Sequence, residues 1–146
     1  MRAAVLLLTA VAMSGCGDGG DGERLTREEY ASQADAICTK YNEQVRALQN
    51  PSNIEELADA ADKTLPILDD AIGELEDLEP PENEAATAED WLDQVKLLKG
   101  DLETIRDRAE ENDLPGVQAA VPSAQQHNDR SNELATQLGM SVCNMG

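Results

Sequence analysis

Residues 88–109 read AEDWLDQVKLLKGDLETIRDRA. Ala88, Trp91, Val95, Leu98, Leu102, Ile105 and Ala109 recur at alternating intervals of three and four. A helix turns once in about 3.6 residues, so this spacing gathers all of them on one stripe; a strand, with a period of about 2, would scatter them over both faces. Gly100 interrupts the stretch at a cost of about 1 kcal/mol relative to Ala. The stretch predicts an amphipathic helix whose apolar stripe needs partners.

The partners lie on both sides. Upstream, Pro80-Pro81 ends an earlier run in which Ile54, Leu57, Ala61, Leu65, Leu68, Ile72 and Leu75 hold the same period. Ser52-Asn53-Ile54-Glu55 reads as its capping box. Pro66 removes one backbone donor inside this run and predicts a kink there, or a break into two shorter helices. Further upstream, Thr26-Arg27-Glu28-Glu29 is a second capping box, with Leu25 and Tyr30 as its hydrophobic staple. Tyr30, Ala34, Ile37, Tyr41, Val45 and Leu48 continue that helix, Cys38 borders its stripe, and Asn50-Pro51 ends it. Downstream, the turn residues 112–116 (NDLPG) lead to Val117, Val121, Ala124, Asn128, Ser131, Ala135, Leu138 and Val142. Pro122 fits the first position of the main helix here, with 117–121 a separate turn, and Gly139 fits a C-terminal cap. No run alternates like a strand. The expectation is all-α: an antiparallel four-helix bundle forming one domain over residues 25–146.

Charge narrows the function. The chain of 146 residues carries 11 Lys+Arg against 30 Asp+Glu, a formal net charge of -19. Such a polyanion repels nucleic acid and anionic lipid surfaces, so neither is expected as an electrostatic partner. Residues 51–81 hold ten acids and one base and residues 82–113 eleven and four, whereas residues 25–50 hold four and three and residues 114–146 two and one. In a simple bundle the first and fourth helices are neighbours, which sets a nearly neutral side against an acidic one. The acidic side reads as a solvated face. The neutral side, with Gln33, Asn42, Gln44, Gln125, Gln126, His127, Asn128 and Asn132, is the place for a partner.

The first residues say where the protein resides. Arg2 is the only charge before Asp18, and residues 3–13 (AAVLLLTAVAM) form an apolar run too short for the roughly 20 residues of a membrane-spanning helix. The pattern reads as a secretory signal. Met13-Ser14-Gly15-Cys16 resembles the lipobox of bacterial lipoproteins. That resemblance implies a signal peptide over 1–15, a diacylglyceryl thioether on Cys16, and a mature chain that begins there. It implies a lipid anchor on the extracytoplasmic side of the cell membrane. Residues 17–24 (GDGGDGER) then form a tether with an r.m.s. reach of about 16 Å, and lack the Asp spacing of a calcium loop.

With Cys16 given to lipid, Cys38 and Cys143 remain. An oxidising compartment favours joining them, two free thiols being the alternative. The loop closed would be worth about 4–5 kcal/mol in the chain-entropy model. Cys38 lies about 18 Å along the first helix, at 1.5 Å per residue, while an up-down bundle brings the fourth helix back to the start of the first. The tail bearing Cys143 is therefore expected to fold back along the first helix, with Gly139 allowing the turn.

Reactive chemistry finds little support. His127 is the only histidine and reads as a surface or helix-interface residue; there is no Glu-x-x-His pair, no haem-attachment motif and no nucleophile elbow. Met140, Cys143 and Met145 are soft ligands of the kind that suit Cu(I), but a disulfide at Cys143 removes one. The carboxylates at Asp69, Asp70, Glu74, Glu76, Asp77, Glu79, Glu82 and Glu84 could hold a divalent cation loosely, the solvated face being the simpler reading. Trp91, Tyr30 and Tyr41 read as core, leaving no aromatics to line a sugar cleft. No catalytic residue, cofactor or metal ligand is assigned.

The layout resembles the small envelope lipoproteins of high-GC actinobacteria. The resemblance rests on Ala34-Asp35-Ala36-Ile37-Cys38, Pro80-Pro81 and the final Gly139-x-x-x-Cys143, and implies no particular activity. The expected function is a non-enzymatic binding or interaction module of the cell envelope. The alternative is a small-molecule or metal-ion carrier using the acidic face or the bundle interior, with Asn128 and Ser131 as foothold.

Overall fold

Thr26 opens the first helix as its capping box predicts. Its hydroxyl accepts the Glu29 amide at 3.3 Å, and the Glu29 carboxylate accepts the Thr26 amide at 2.9 Å. The computed structural model describes residues 24–145. Cys16, the leader and the tether up to residue 23 lie outside the described residues. Helix α1 spans Arg27–Arg46, α2 Ile54–Glu76, α3 Ala85–Glu110 and α4 Leu114–Gln137, with a single 3-10 turn at Glu82–Glu84. No strand occurs among the described residues.

Local expectations are corrected at the cap of α2, the start of α4 and the end of α1, and of the kink or break expected at Pro66 the break does not occur. The cap of α2 is Asn53 rather than Ser52: its side chain accepts the Glu56 amide at 2.9 Å, and the Glu56 carboxylate reaches back to the Ser52 amide at 2.8 Å. Two cap formers precede two glutamates here, and the pairing runs one residue later than the Ser52/Glu55 box. Helix α2 then continues through Pro66 without a break. The ring costs the bond that residue 66 would donate to the carbonyl of Asp62. The buried residues on either side, Ala58, Ala61, Leu65, Ala71, Ile72 and Leu75, keep both halves packed. Helix α4 begins at Leu114 rather than Pro122, because Asp113 caps the Gly116 amide at 3.0 Å and Pro115 sits in the first turn, where no amide is needed. Pro122 is accommodated inside the helix. Helix α1 closes at Ala47, so Leu48 falls beyond it.

The helices pack antiparallel in sequence order. Helix α3 lies against α2 on one side and α4 on the other. Ion pairs Glu76–Lys96 at 2.6 Å, Asp69–Lys99 at 2.7 Å and Asp62–Arg106 at 3.7 Å run down the α2–α3 seam in opposite chain directions. The core has two parts. At the end where α4 stops, Tyr30, Ala31 and Ala34 of α1 meet Leu75, Ala88, Trp91, Leu134, Ala135, Leu138 and Met140. At the other end, Ala58, Ala109 and Val117 cluster without any residue of α1. Helix α1 thus contributes to the buried core at one end only.

Candidate functional site

The best-defined polar constellation is built where α4 ends. Leu138 caps the helix, and Gly139 follows with φ of 85°, a left-handed conformation that glycine adopts without strain. The Met140 amide reaches the Ala135 carbonyl at 2.9 Å and the Gly139 amide reaches Thr136 at 3.1 Å, the two bonds of a Schellman turn. Arg27 adds a cation there: its guanidinium donates to the Gln137 carbonyl and pairs with Glu84 at 3.3 Å.

The turn sends the tail back along α1, as expected. Met140 is buried against the core. The Asp35 carboxylate then accepts the Ser141 amide at 2.8 Å, the Ser141 hydroxyl at 2.8 Å, the Val142 amide at 2.8 Å and the Cys143 amide at 3.1 Å. Burial acts most strongly on this carboxyl and raises its pKa, but the four hydrogen bonds together outweigh it and hold the pKa below the ordinary aspartate range. Cys143 is joined to Cys38, with their Cα atoms 5.4 Å apart. Two quoted sequence features, the Ala34–Cys38 stretch and the Gly139–Cys143 stretch, are therefore the two halves of one clasp. Ala34 is fully buried under it, Asp35 and Cys38 hold the tail, and Gly139 turns it.

His127 stands at the α3–α4 interface. Its Nδ1 lies 2.6 Å from an Asp101 carboxylate oxygen, and both side chains are largely covered. Around it, Gln94, Leu97, Pro122, Gln125, Gln126, Asp129, Arg130 and Glu133 line a groove open to solvent. Leu97 and Val121 are exposed. The neutral side expected of α1 and α4 is not assembled as one face: Gln125, Gln126 and His127 share this groove with α3, and Gln33, Asn42 and Gln44 of α1 are not among its lining residues.

The remaining candidates are placed as follows. Trp91 and Tyr30 are 1% exposed and Tyr41 6%, so all are core. Burial pushes the Tyr30 hydroxyl up to about 12. Ser131 is buried in α4. Cys143 is engaged in the disulfide, Met140 is buried and Met145 is exposed, so the three sulfurs form no common ligand set. Several acids of α2 are already paired: Asp69 and Glu76 with lysines of α3, and Glu74 with Lys40 at 2.5 Å and the Tyr41 hydroxyl at 2.6 Å. Among the described residues, no group of three or more His, Cys, Asp or Glu is arranged to hold a metal ion. Nor is any helix of the described residues long and apolar enough to cross a membrane.

Sequence reading missed Asp35 and the α2–α3 ladder. The ladder left a trace, since Asp62, Asp69 and Glu76 recur every seven residues. Asp35 left only its place beside Cys38.

Comparison with known families, curated proteins and solved structures finds no match to this chain.

Proposed function

We propose that the protein is a lipid-anchored, extracytoplasmic interaction module of the cell envelope, held by Cys16 and presenting its bundle to a protein or cell-wall partner. One observation carries the choice of a surface over a cargo chamber. The bundle interior is occupied by side chains, with Trp91, Tyr30 and Leu138 the largest that are fully buried, and the best-formed clefts are surface grooves. What is left for recognition is the exterior. There, the α3–α4 groove around His127 offers the amides of Gln94, Gln125 and Gln126 and the exposed Leu97, bordered by Asp129, Arg130 and Glu133. No membrane attachment is needed from the helices themselves, since the anchor reading places it in the leader.

The test is native mass spectrometry of the chain taken from its own host's envelope, with Cys16→Ser beside it. A lipidated, oxidised and otherwise empty protein, released from the membrane by Cys16→Ser, supports the module. Extra mass lost on denaturation would replace it with a carrier, and an unlipidated chain would overturn the anchor.

A further inference from the structure

We propose that Asp35 is a positioning residue for the disulfide: it docks the C-terminal tail on α1 first, and thereby presents Cys143 to Cys38 for oxidation.

The geometry separates the two fastenings. Three consecutive amides, of Ser141, Val142 and Cys143, converge on one carboxylate, and the Ser141 hydroxyl adds a fourth donor. These bonds act on the backbone of the tail up to Cys143 and not on its sulfur. The Schellman turn at Gly139 and the buried Met140 fix the approach from the other side. Asp35 and Cys38 are three residues apart on α1, hence on one face of the helix. With the amide of Cys143 held on Asp35, the two cysteine Cα atoms stand at 5.4 Å, inside the roughly 4.4–6.8 Å that a disulfide spans. The hydrogen-bond donors to the Asp35 carboxylate are the tail's own amides and hydroxyl. The carboxylate therefore has one evident task.

The oxidation it prepares is ordinary thiol–disulfide exchange. The Cys143 thiolate attacks oxidised glutathione and expels one glutathione thiolate, giving a mixed disulfide. The Cys38 thiolate then attacks the Cys143 sulfur and expels the second. Two protein thiols are oxidised, and one glutathione disulfide is reduced to two thiols. Docking raises the effective concentration of one cysteine at the other, which favours the second step.

Two measurements on the full chain test this. The first is the oxidation equilibrium in glutathione buffers for the wild type and Asp35→Asn. The expected result is at least a tenfold drop in the effective concentration for Asp35→Asn; a change within twofold overturns the proposal. The second uses the doubly substituted chain Cys38→Ser, Cys143→Ser, in which Asp35 is intact. Its amide signals at residues 141–143 should titrate together with the Asp35 carboxyl, at a midpoint below the ordinary aspartate range. Tail amides that do not titrate would show that the disulfide alone docks the tail; if the double variant is unfolded, the glutathione equilibrium of Asp35→Asn decides by itself.

Discussion

The backbone amide of Cys143 rests on Asp35 at 3.1 Å, while its sulfur is bonded to Cys38 one helical turn further along α1. The bond closes a span of 105 residues, nearly the whole folded domain. Cross-linking so long a loop removes conformational entropy from the unfolded chain, worth about 4–5 kcal/mol in the chain-entropy model. Urea unfolding of the oxidised wild type against the Cys38→Ser, Cys143→Ser chain should show a difference of that order. A difference below about 1 kcal/mol would mean that the unfolded chain stays compact around the same contacts.

Trp91 is the only tryptophan and is 1% exposed, so its fluorescence reports directly the end of the bundle where α1 joins the core. Trp91→Ala should cost about 3–5 kcal/mol, as large core truncations do. Trp91→Phe should cost less than about 1.5 kcal/mol. The indole Nε1 is buried with no hydrogen-bond partner, so phenylalanine removes an unsatisfied donor while keeping much of the volume. If Trp91→Phe proves as harmful as Trp91→Ala in chemical unfolding, the indole nitrogen has a partner in solution.

The glycines divide by conformation. Gly139 has φ of 85°, and an added Cβ would stand 3.3 Å from Arg27 Nε, the group that caps α4. Gly139→Ala should destabilise by about 1–2 kcal/mol through the left-handed backbone. Gly73 and Gly100 are helical, with nothing within 4 Å of a new Cβ. Gly73→Ala and Gly100→Ala should each stabilise by about 0.5–1 kcal/mol. Thermal melts of the three variants distinguish the two classes, and a stabilising Gly139→Ala would contradict the turn.

The elements that were legible in the sequence are those encoded by neighbours. The Thr26/Glu29 box and the stripe of α3 depend on residues three and four apart, and both are found in the fold. The start of α4 was misplaced because Pro115 and Pro122 both fit a first turn, and only the Asp113 cap decides between them. The fold-back of the tail could be argued from Cys38, Cys143 and Gly139. Its mechanism could not, because Asp35 binds backbone amides more than a hundred residues away, and an amide carries no sequence signature. The groove at His127 was not legible, since composition pointed to α1 and α4 whereas Gln94, Leu97 and Asp101 come to it from α3.

Glu74 joins α2 to α1 through two donors. Its pKa lies below the ordinary glutamate range, first because Lys40 donates to it and second because the Tyr41 hydroxyl does. A depressed folded-state pKa means that the contribution to stability is complete above the ordinary glutamate range and is lost as pH falls through the lowered midpoint. Tyr41→Phe removes the second donor and keeps the first. The Glu74 midpoint should move up yet stay below the ordinary value, and the acid limb of the stability curve should shift to higher pH with it. Carboxyl carbon shifts followed by NMR read the midpoint; an unmoved midpoint would assign the whole effect to Lys40.

Net charge sets how the protein responds to salt. The chain carries -19, and the acids concentrate on α2 and α3, where the three ion pairs of the ladder neutralise only part of them. The ladder side chains are substantially exposed, and exposed pairs contribute about 0–1 kcal/mol each. Repulsion among the unpaired acids acts over the whole surface and is screened beyond about 10 Å at 0.1 M salt. Raising sodium chloride therefore weakens a few small attractions and relieves many repulsions. The Tm should climb as salt rises from about 0.01 M, where screening reaches about 30 Å, to 0.1 M. Magnesium at matched ionic strength should act like sodium if the acids are a solvated face. A much larger rise with magnesium would place a bound cation among them, and a fall in Tm with either salt would make the ladder the dominant charge interaction of the fold.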